Sequence, residues 1–342
     1  MIKHTKFSKI GQFRQVVTSI NKMVNYVGRD ENDEPIYDPS IKKPVLTFKG
    51  TVKLHGTNSS VCYNDGDFWT QSKEQVLSLE EDNYGFCKYV MENQEIFQNL
   101  LNRVIERFNV NTKIFTVAIF GEWMGAGIQK GMGISKMDKT FVIFAIKIDN
   151  PHDENFKSLW VDSTWLNDNE NNIYNIDDFE SHEIDIDFNM PQLAQNKLID
   201  YMLKVEEQCP VAKHFGHEGK GEGMVWRTTY KDNDFKFKVK GEKHSSSKVK
   251  TLAKVDTEKL NSINEFVEYA ATENRFKQAM EIIFKGNEID IKKLGDVLRW
   301  VIKDITEEEA DTMEDNGLTS KDVNKYLSTK IRNMFFEEYN KF

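Results

Sequence analysis

Apolar positions follow two regimes along the chain. Up to about residue 245 they sit in short alternating or continuous runs bounded by Gly, Asn and Asp. After about residue 250 they recur every three or four residues. The first regime predicts strands and hairpins with occasional helices, the second a run of amphipathic helices. Phe7, Ile10, Phe13, Val16 and Val17 have helical spacing, which predicts a short helix in an otherwise polar lead-in over residues 1–43. Residues 30–44 hold three prolines and read as a loop. Pro44-Val45-Leu46-Thr47-Phe48 predicts a strand. Residues 60–63 and 68–71 flank Asn64-Asp65-Gly66-Asp67, a hairpin signal. Helical spacing returns at Tyr84, Val90, Ile96, Phe97, Leu100, Leu101, Val104 and Ile105, followed by buried-type strands over 114–120 and 141–148. A short strand at 159–162 and a helix near 193–205 lie on either side of a stretch without clear period. A second hairpin begins with Gly221-Glu222-Gly223-Met224-Val225-Trp226-Arg227, turns at Lys231-Asp232-Asn233-Asp234 and returns over 235–240. Its return strand puts Phe235, Phe237 and Val239 on one face and Lys236, Lys238 and Lys240 on the other.

Beyond residue 250 there is no proline and only three glycines. Three stripes follow, the first at Leu260, Ile263, Val267 and Ala270 and the second at Leu294, Leu298, Val301 and Ile305. The third is Val323, Leu327, Ile331 and Met334, and Asp256 and Ser320 suit helix N-caps. The pattern predicts an α+β domain over residues 1–250 and an all-α domain over 251–342.

Composition narrows the function. A chain of 342 residues with 12% aromatics, 23 of them Phe, builds a sizeable core and is not a disordered segment. No apolar run reaches the length of a membrane span, and the N-terminus lacks the apolar core of a signal peptide. The three scattered cysteines, Cys62, Cys87 and Cys209, fit a reducing, cytoplasmic setting. A net charge of −9 argues against bulk affinity for nucleic acid but leaves room for a local basic groove.

The chemistry centres on Lys53, at the end of the strand and in Lys53-Leu54-His55-Gly56. A lysine nucleophile must lose its proton, which from a free value near 10.4 costs about 4–5 kcal/mol at pH 7. Burial, neighbouring cations or a metal can supply that. K-x-x-G alone is a short pattern, and an ordinary surface lysine also satisfies it. The loop 125–133 is glycine-rich but has no Gly-Lys-Ser/Thr opening a helix, so it is not a phosphate-binding P-loop. Alternating lysines over 236–240 suit either a solvated edge strand or a phosphate-facing one. Cys209, His214 and His217 match no common zinc spacing.

Five pieces stand in order: Lys53 in K-x-x-G, a strand ending in Gly121-Glu122, the aromatic strand with Phe144, Glu222-Gly223-Met224-Val225, and Lys238-Val239-Lys240. This set resembles the covalent nucleotidyltransferases, the polynucleotide ligases and RNA capping enzymes. Within them it resembles the phage-type RNA ligase 2 family, most closely in Lys-Leu-His-Gly-Thr-Asn and in residues 120–130. The position two residues after the lysine is His55, as in that family, whereas DNA ligases and capping enzymes usually carry Asp there. The resemblance implies an ATP-grasp-like adenylyltransferase domain of antiparallel sheets and helices, with a helical RNA-binding domain behind it. It implies an ATP-dependent ligase that joins a 3′-hydroxyl to a 5′-phosphate, through AMP carried on Lys53 and then on the RNA. The RNA substrate would be a nick in duplex RNA or ends held on a bridging strand, as in RNA repair, and the enzyme a monomer using Mg²⁺ or Mn²⁺. By the same resemblance Glu122 binds the ribose, Phe144 stacks on adenine, Glu222 serves the metal, Lys238 and Lys240 serve the α-phosphate, and His55, Asn58 and Lys73 serve the RNA. Two positions depart from the family: Lys73 stands where an arginine is usual and lacks its bidentate fork, and Ala145 follows Phe144 where Asp is frequent. The other readings are a capping-type guanylyltransferase and a non-catalytic RNA-binding protein on a ligase scaffold.

Overall fold

The structure, a computed structural model, describes residues 2–241, 257–285 and 288–341. The expected boundary at 250/251 and the expected cap at Asp256 lie outside the described residues. In chain order the elements begin with α1 (Phe13–Asn25), β1 (Tyr26–Arg29), β2 (Pro35–Tyr37), β3 (Val45–Val52), β4 (Thr57–Asn64) and β5 (Asp67–Ser72). Then come α2 (Phe86–Glu92), α3 (Gln94–Phe108), β6 (Thr116–Met124), β7 (Thr140–Asp149), β8 (Leu159–Val161), β9 (Ile173–Asn175) and β10 (Ser181–Asp187). They continue with α4 (Gln195–Glu207), α5 (Pro210–His214), β11 (Gly223–Tyr230) and β12 (Asn233–Lys240). The last are α6 (Thr257–Ala270), α7 (Glu273–Phe284), α8 (Leu294–Glu308), α9 (Ala310–Asp315) and α10 (Ser320–Tyr339). This is the α+β class that the periodicity predicts.

Contacts divide the chain into two compact units, one of residues 1–16, 46–185 and 197–252, the other of 17–45, 186–196 and 253–342. The second unit thus gathers two segments that lie within the sequence-expected first domain.

The first unit contains two sheets. One has strand order β10-β3-β11-β12, the other β5-β4-β6-β7-β8, with β9 running parallel beside β7. In the second sheet Val117 and Ile119 face α3, which presents Phe97, Leu100, Leu101 and Val104 at 3.6-residue spacing. The alternate residues Ala118 and Phe120 form a separate small cluster with Cys62, Trp69 and Ala145 on the other face. Both predicted hairpins are present. Asp65 and Gly66 have φ of 44° and 90°, Lys231 and Asp232 of 47° and 56°. Two consecutive positive φ values match the right-handed twist of paired strands.

Three local expectations change. Residues 7–12 are not helical: Gly11 makes a parallel bridge to Phe237, and the helix starts at Phe13. Within α1 the buried residues Phe13, Val16, Ile20 and Val24 keep the helical spacing. Residues 30–44 are not wholly loop, because β2 pairs with β1 in a two-stranded ribbon. The cap of α10 is Thr319, closed by Asp322, not Ser320.

The second unit's helical core joins Ile263, Val267 and Ala270 of α6 and Phe276 and Ala279 of α7. Val297, Val301 and Ile305 of α8 and Val323, Leu327, Ile331 and Phe335 of α10 complete it. Among the described residues no helix is long and apolar enough to cross a membrane.

Candidate active site

The backbone N–H of Lys53, one residue past β3, donates to Gly223 O at 2.8 Å. Gly223 has φ +145°, and a Cβ there would lie 2.1 Å from Val239 O, so only glycine lets β11 start this close to β12. That close start sets the preceding residue, Glu222, between the ends of β3 and β12. Glu222 is 5% exposed. Its Oε2 accepts from Lys53 Nζ at 2.5 Å and lies 3.3 Å from His55 Nδ1, while its Oε1 pairs with Lys240 Nζ. Burial opposes ionisation of Glu222. The His55 hydrogen bond, the Lys53 charge and the Lys240 and Lys53 hydrogen bonds outweigh it and hold the carboxyl well below the usual range.

On the facing wall, Gly56 N donates to Glu122 Oε1 at 2.8 Å. A Cβ on Gly56 would stand 2.3 Å from Trp123 O, so this approach too requires glycine. Asn58 pairs with Glu122 across β4 and β6, and its buried Oδ1 has no hydrogen-bond partner. Burial pushes the Glu122 carboxyl up to about 7, against the pull of the Lys53 charge and the Gly56 hydrogen bond. A raised carboxyl favours the folded state at low pH and loses that contribution as pH rises from about 4.5 through about 7. Glu122→Gln should therefore gain melting temperature over the parent by a few degrees more at pH 8 than at pH 5. An offset that stays the same at the two pH values would contradict this.

Of these groups, Lys53, Asn58 and Glu122 line one cleft of about 1170 Å³, walled by the two sheets and by residues 4 and 6–10, and Glu222 meets it through its contact with Lys53. Lys49, Lys53, Arg227, Lys236 and Lys238 enter it from β3, β11 and β12, with Lys6, Lys9 and Lys73 from elsewhere. Glu74, Glu122, Asp162 and Asp234 are the acids among its lining residues. The cleft is thus basic on a chain of net charge −9. Of the alternating lysines of β12, Lys236 and Lys238 line it: burial, then the charges of Lys240 and Lys53, lower the Lys238 pKa, and burial lowers that of Lys236.

Phe144 reaches the cleft through a bulge. Phe120 pairs with Ala145 but Gly121 with Ile143, so Phe144 is the extra residue on β7. The bulge lets Phe144 and Ala145 both line the cleft while Ile143 stays in the core under α3. Of the residues singled out from sequence, Lys53, His55, Glu222 and Lys240 meet directly. Glu122, Asn58, Phe144 and Lys238 line the same cleft, and Lys73 lies at its exposed edge, paired with Glu74 at 2.8 Å.

Sequence reasoning missed Asp177. Its buried side chain holds Lys49 at 2.6 Å and Arg227 through both carboxylate oxygens at 2.5 Å. Burial opposes its ionisation, but Arg227 and Lys49 overcome that and lower its pKa. Asp177 fell in the stretch without clear period. Lys49 and Arg227 were findable, because they share strand faces with Lys53 and Gly223 by simple alternation.

Among the described residues no three His, Cys, Asp or Glu gather into a metal cage. Glu222 suits instead an ion such as Mg²⁺ or Mn²⁺ held through one carboxylate, waters and a substrate's phosphates.

The RNA ligase family model matches residues 47–250, which include every cleft residue from Lys49 to Lys238 and also Glu222 and Lys240. No curated protein matches the chain. Solved structures that this chain matches include a Naegleria gruberi RNA ligase with PPi, 17% identical, covering 70% of this chain and 57% of that one at a TM-score of 0.42. A lysine-to-alanine variant of the Naegleria enzyme with ATP and Mn gives 17%, 70%, 57% and 0.43. A lysine-to-methionine variant with AMP and Mn gives 17%, 70%, 56% and 0.40. This chain therefore spans less than two thirds of the length of those enzymes. The family match covers more than half of the chain, and this chain belongs to the RNA ligase family.

Proposed function

We propose that this chain is an ATP-dependent RNA ligase of the RNA ligase 2 type that seals nicks in duplex RNA or ends held on a bridging strand. The observation that carries the reading is the seat of Lys53: a lysine at a strand end, in contact with a buried Glu222 that also holds Lys240, facing a basic cleft with an aromatic wall. Lys53 Nζ attacks the α-phosphorus of ATP. An N–P bond forms, the bond from that phosphorus to the bridging oxygen breaks, and pyrophosphate leaves. The ammonium proton must first depart to solvent. A 5′-phosphate oxygen of RNA then displaces the lysine from AMP. A 3′-hydroxyl attacks the activated 5′-phosphorus and expels AMP. Each displacement gathers negative charge on nonbridging oxygens, which fixed cations such as Lys238 and Lys240 stabilise. A divalent ion held at Glu222 would neutralise phosphate charge. Glu122 accepts from the ribose hydroxyls and Phe144 offers a face to adenine. His55, Asn58 and Lys73 serve the RNA-dependent steps.

Incubation of the full chain with α-labelled ATP or GTP, followed by denaturing electrophoresis, tests this reading. It expects label from ATP. Label from GTP would point to a capping activity, and none to a binding protein.

We also propose that residues 251–342 bind RNA. This stretch carries 14 Lys and Arg against 19 Asp and Glu, so contact must come from a local cluster rather than from its bulk charge. Lys321, Lys325 and Arg332 are exposed and share one face of α10, at spacings of four and seven. Replacing the three with Ser should reduce the salt dependence of RNA binding by about two to three phosphate contacts while leaving AMP labelling intact. An unchanged salt slope would assign the RNA contacts elsewhere.

A further inference from the structure

Residues 3–11, part of the polar lead-in of the sequence, cross the cleft as a strap tied to both of its walls. On the second sheet, Thr5 N donates to Gln71 Oε1 at 3.0 Å and Gln71 Nε2 donates back to Thr5 O at 2.5 Å. Lys147 Nζ donates to Lys6 O at 3.3 Å. Gln71 and Lys147 are themselves buried, so these ties are shielded from water. On the first sheet, Gly11 N donates to Lys236 O at 3.3 Å and Lys238 N donates to Gly11 O at 3.1 Å. Between the two anchorages the strap inserts the ring of Phe7. Its centroid stands 5.2 Å from Phe120, 5.2 Å from Phe144 at 70°, and 5.3 Å from Trp160 at 81°. Edge-on contacts of this kind are directional, and they fix the tilt of the ring they touch. Phe144 needs such a support. It is the extra residue of a bulge, only partly buried, and outside the core under α3. Among the described residues, Phe7 supplies the one aromatic ring against it.

We propose that Phe7 is a positioning residue of the nucleotide pocket: it sets the angle of the Phe144 ring so that its free face meets the base of a bound ATP. This rests on the ligase reading of the cleft. Without Phe7 the ring of Phe144 turns into the vacated space, and base stacking is lost while the phosphate end of the site stays intact.

The test is ATP binding by the full chain, measured by calorimetry, alongside the ATP dependence of AMP labelling. Phe7→Ala should weaken ATP binding about tenfold or more, the scale of one base–aromatic stack, and raise the half-saturating ATP concentration equally. The labelling rate at saturation should stay within about threefold, since Lys53, Glu222 and Lys240 are untouched. Phe7→Tyr keeps the ring and should restore affinity. Phe7→Leu fills the space without a flat ring and should fail to restore it, which also serves if the Ala form does not fold. Phe144→Ala should lose as much as Phe7→Ala, and the double variant no more than either. Wild-type affinity in the Leu form, additive losses in the double variant, or a loss confined to the saturated rate would each overturn the proposal. If the parent binds ATP but takes no label, the ligase reading fails and the binding series still decides on Phe7. If the parent binds no ATP, both fail.

Discussion

Lys53→Ala should abolish covalent attachment of AMP from ATP and leave the chain able to seal RNA that already carries AMP on its 5′-phosphate. The first half follows from position. The cleft holds other lysines, but Lys53 alone combines a strand end, a backbone tie to Gly223 and contact with the buried Glu222 and the Leu54 carbonyl. Lys240 shares Glu222 and is the alternative nucleophile by proximity. The two are separable: Lys240→Ala should lower the rate of labelling yet leave what label forms on the peptide containing residue 53. The second half follows from the order of bonds. Once AMP is on the RNA, the remaining displacement breaks a phosphoanhydride that the lysine no longer touches. Labelling undiminished in Lys53→Ala, or label recovered on another lysine of the parent chain, would reject the assignment.

Glu222→Gln should reduce labelling by at least about 10²-fold, the scale on which a preorganised charge acts on phosphoryl transfer. The amide keeps the size of the side chain and one acceptor, but it removes the only charge that Lys53 and Lys240 share. Two ammonium groups then face each other without the carboxylate that paired with both, and the group suited to a divalent ion is gone. Stability should fall by no more than a few kcal/mol, because Lys53 and Lys240 keep 21% and 24% of their side chains exposed and water screens what remains. A carboxyl held below its usual range contributes stability at neutral pH that is lost as pH falls through its folded value. Glu222→Gln should therefore show a smaller loss of stability on acidification than the parent, read by melting temperature. Near-normal labelling of the Gln form at limiting Mg²⁺ would remove Glu222 from the phosphate chemistry.

The parts of this fold and site that could be read in the sequence are those specified over a few residues. Asn64-Asp65-Gly66-Asp67 encodes its own turn because Asp65 and Gly66 tolerate positive φ. The α3 stripe encodes its buried face, and Lys53-Leu54-His55-Gly56 encodes a strand end with a close approach. What the sequence hid depends on distant partners. Phe7 and Ile10 keep helical spacing with Phe13 and Val16, yet the bonds from Gly11 to β12 and the aromatic contacts of Phe7 hold residues 7–12 out of the helix. Local period cannot report that competition. The Lys49–Asp177–Arg227 group joins residues far apart in the chain, and no spacing rule links them. The bulge that turns Phe144 toward the cleft is likewise a mismatch between two strands and leaves no mark within either.

A pulse and chase on the full chain tests the central claim most directly. The chain is charged with α-labelled ATP and a divalent ion, freed of nucleotide, and mixed with RNA duplex containing a 5′-phosphorylated nick. The label should start on the peptide containing Lys53, pass to the 5′-phosphate at the nick, and leave as AMP while the strand becomes continuous. Label that stays on the protein when the nick is added, or a strand sealed with no label having passed through it, would contradict the account.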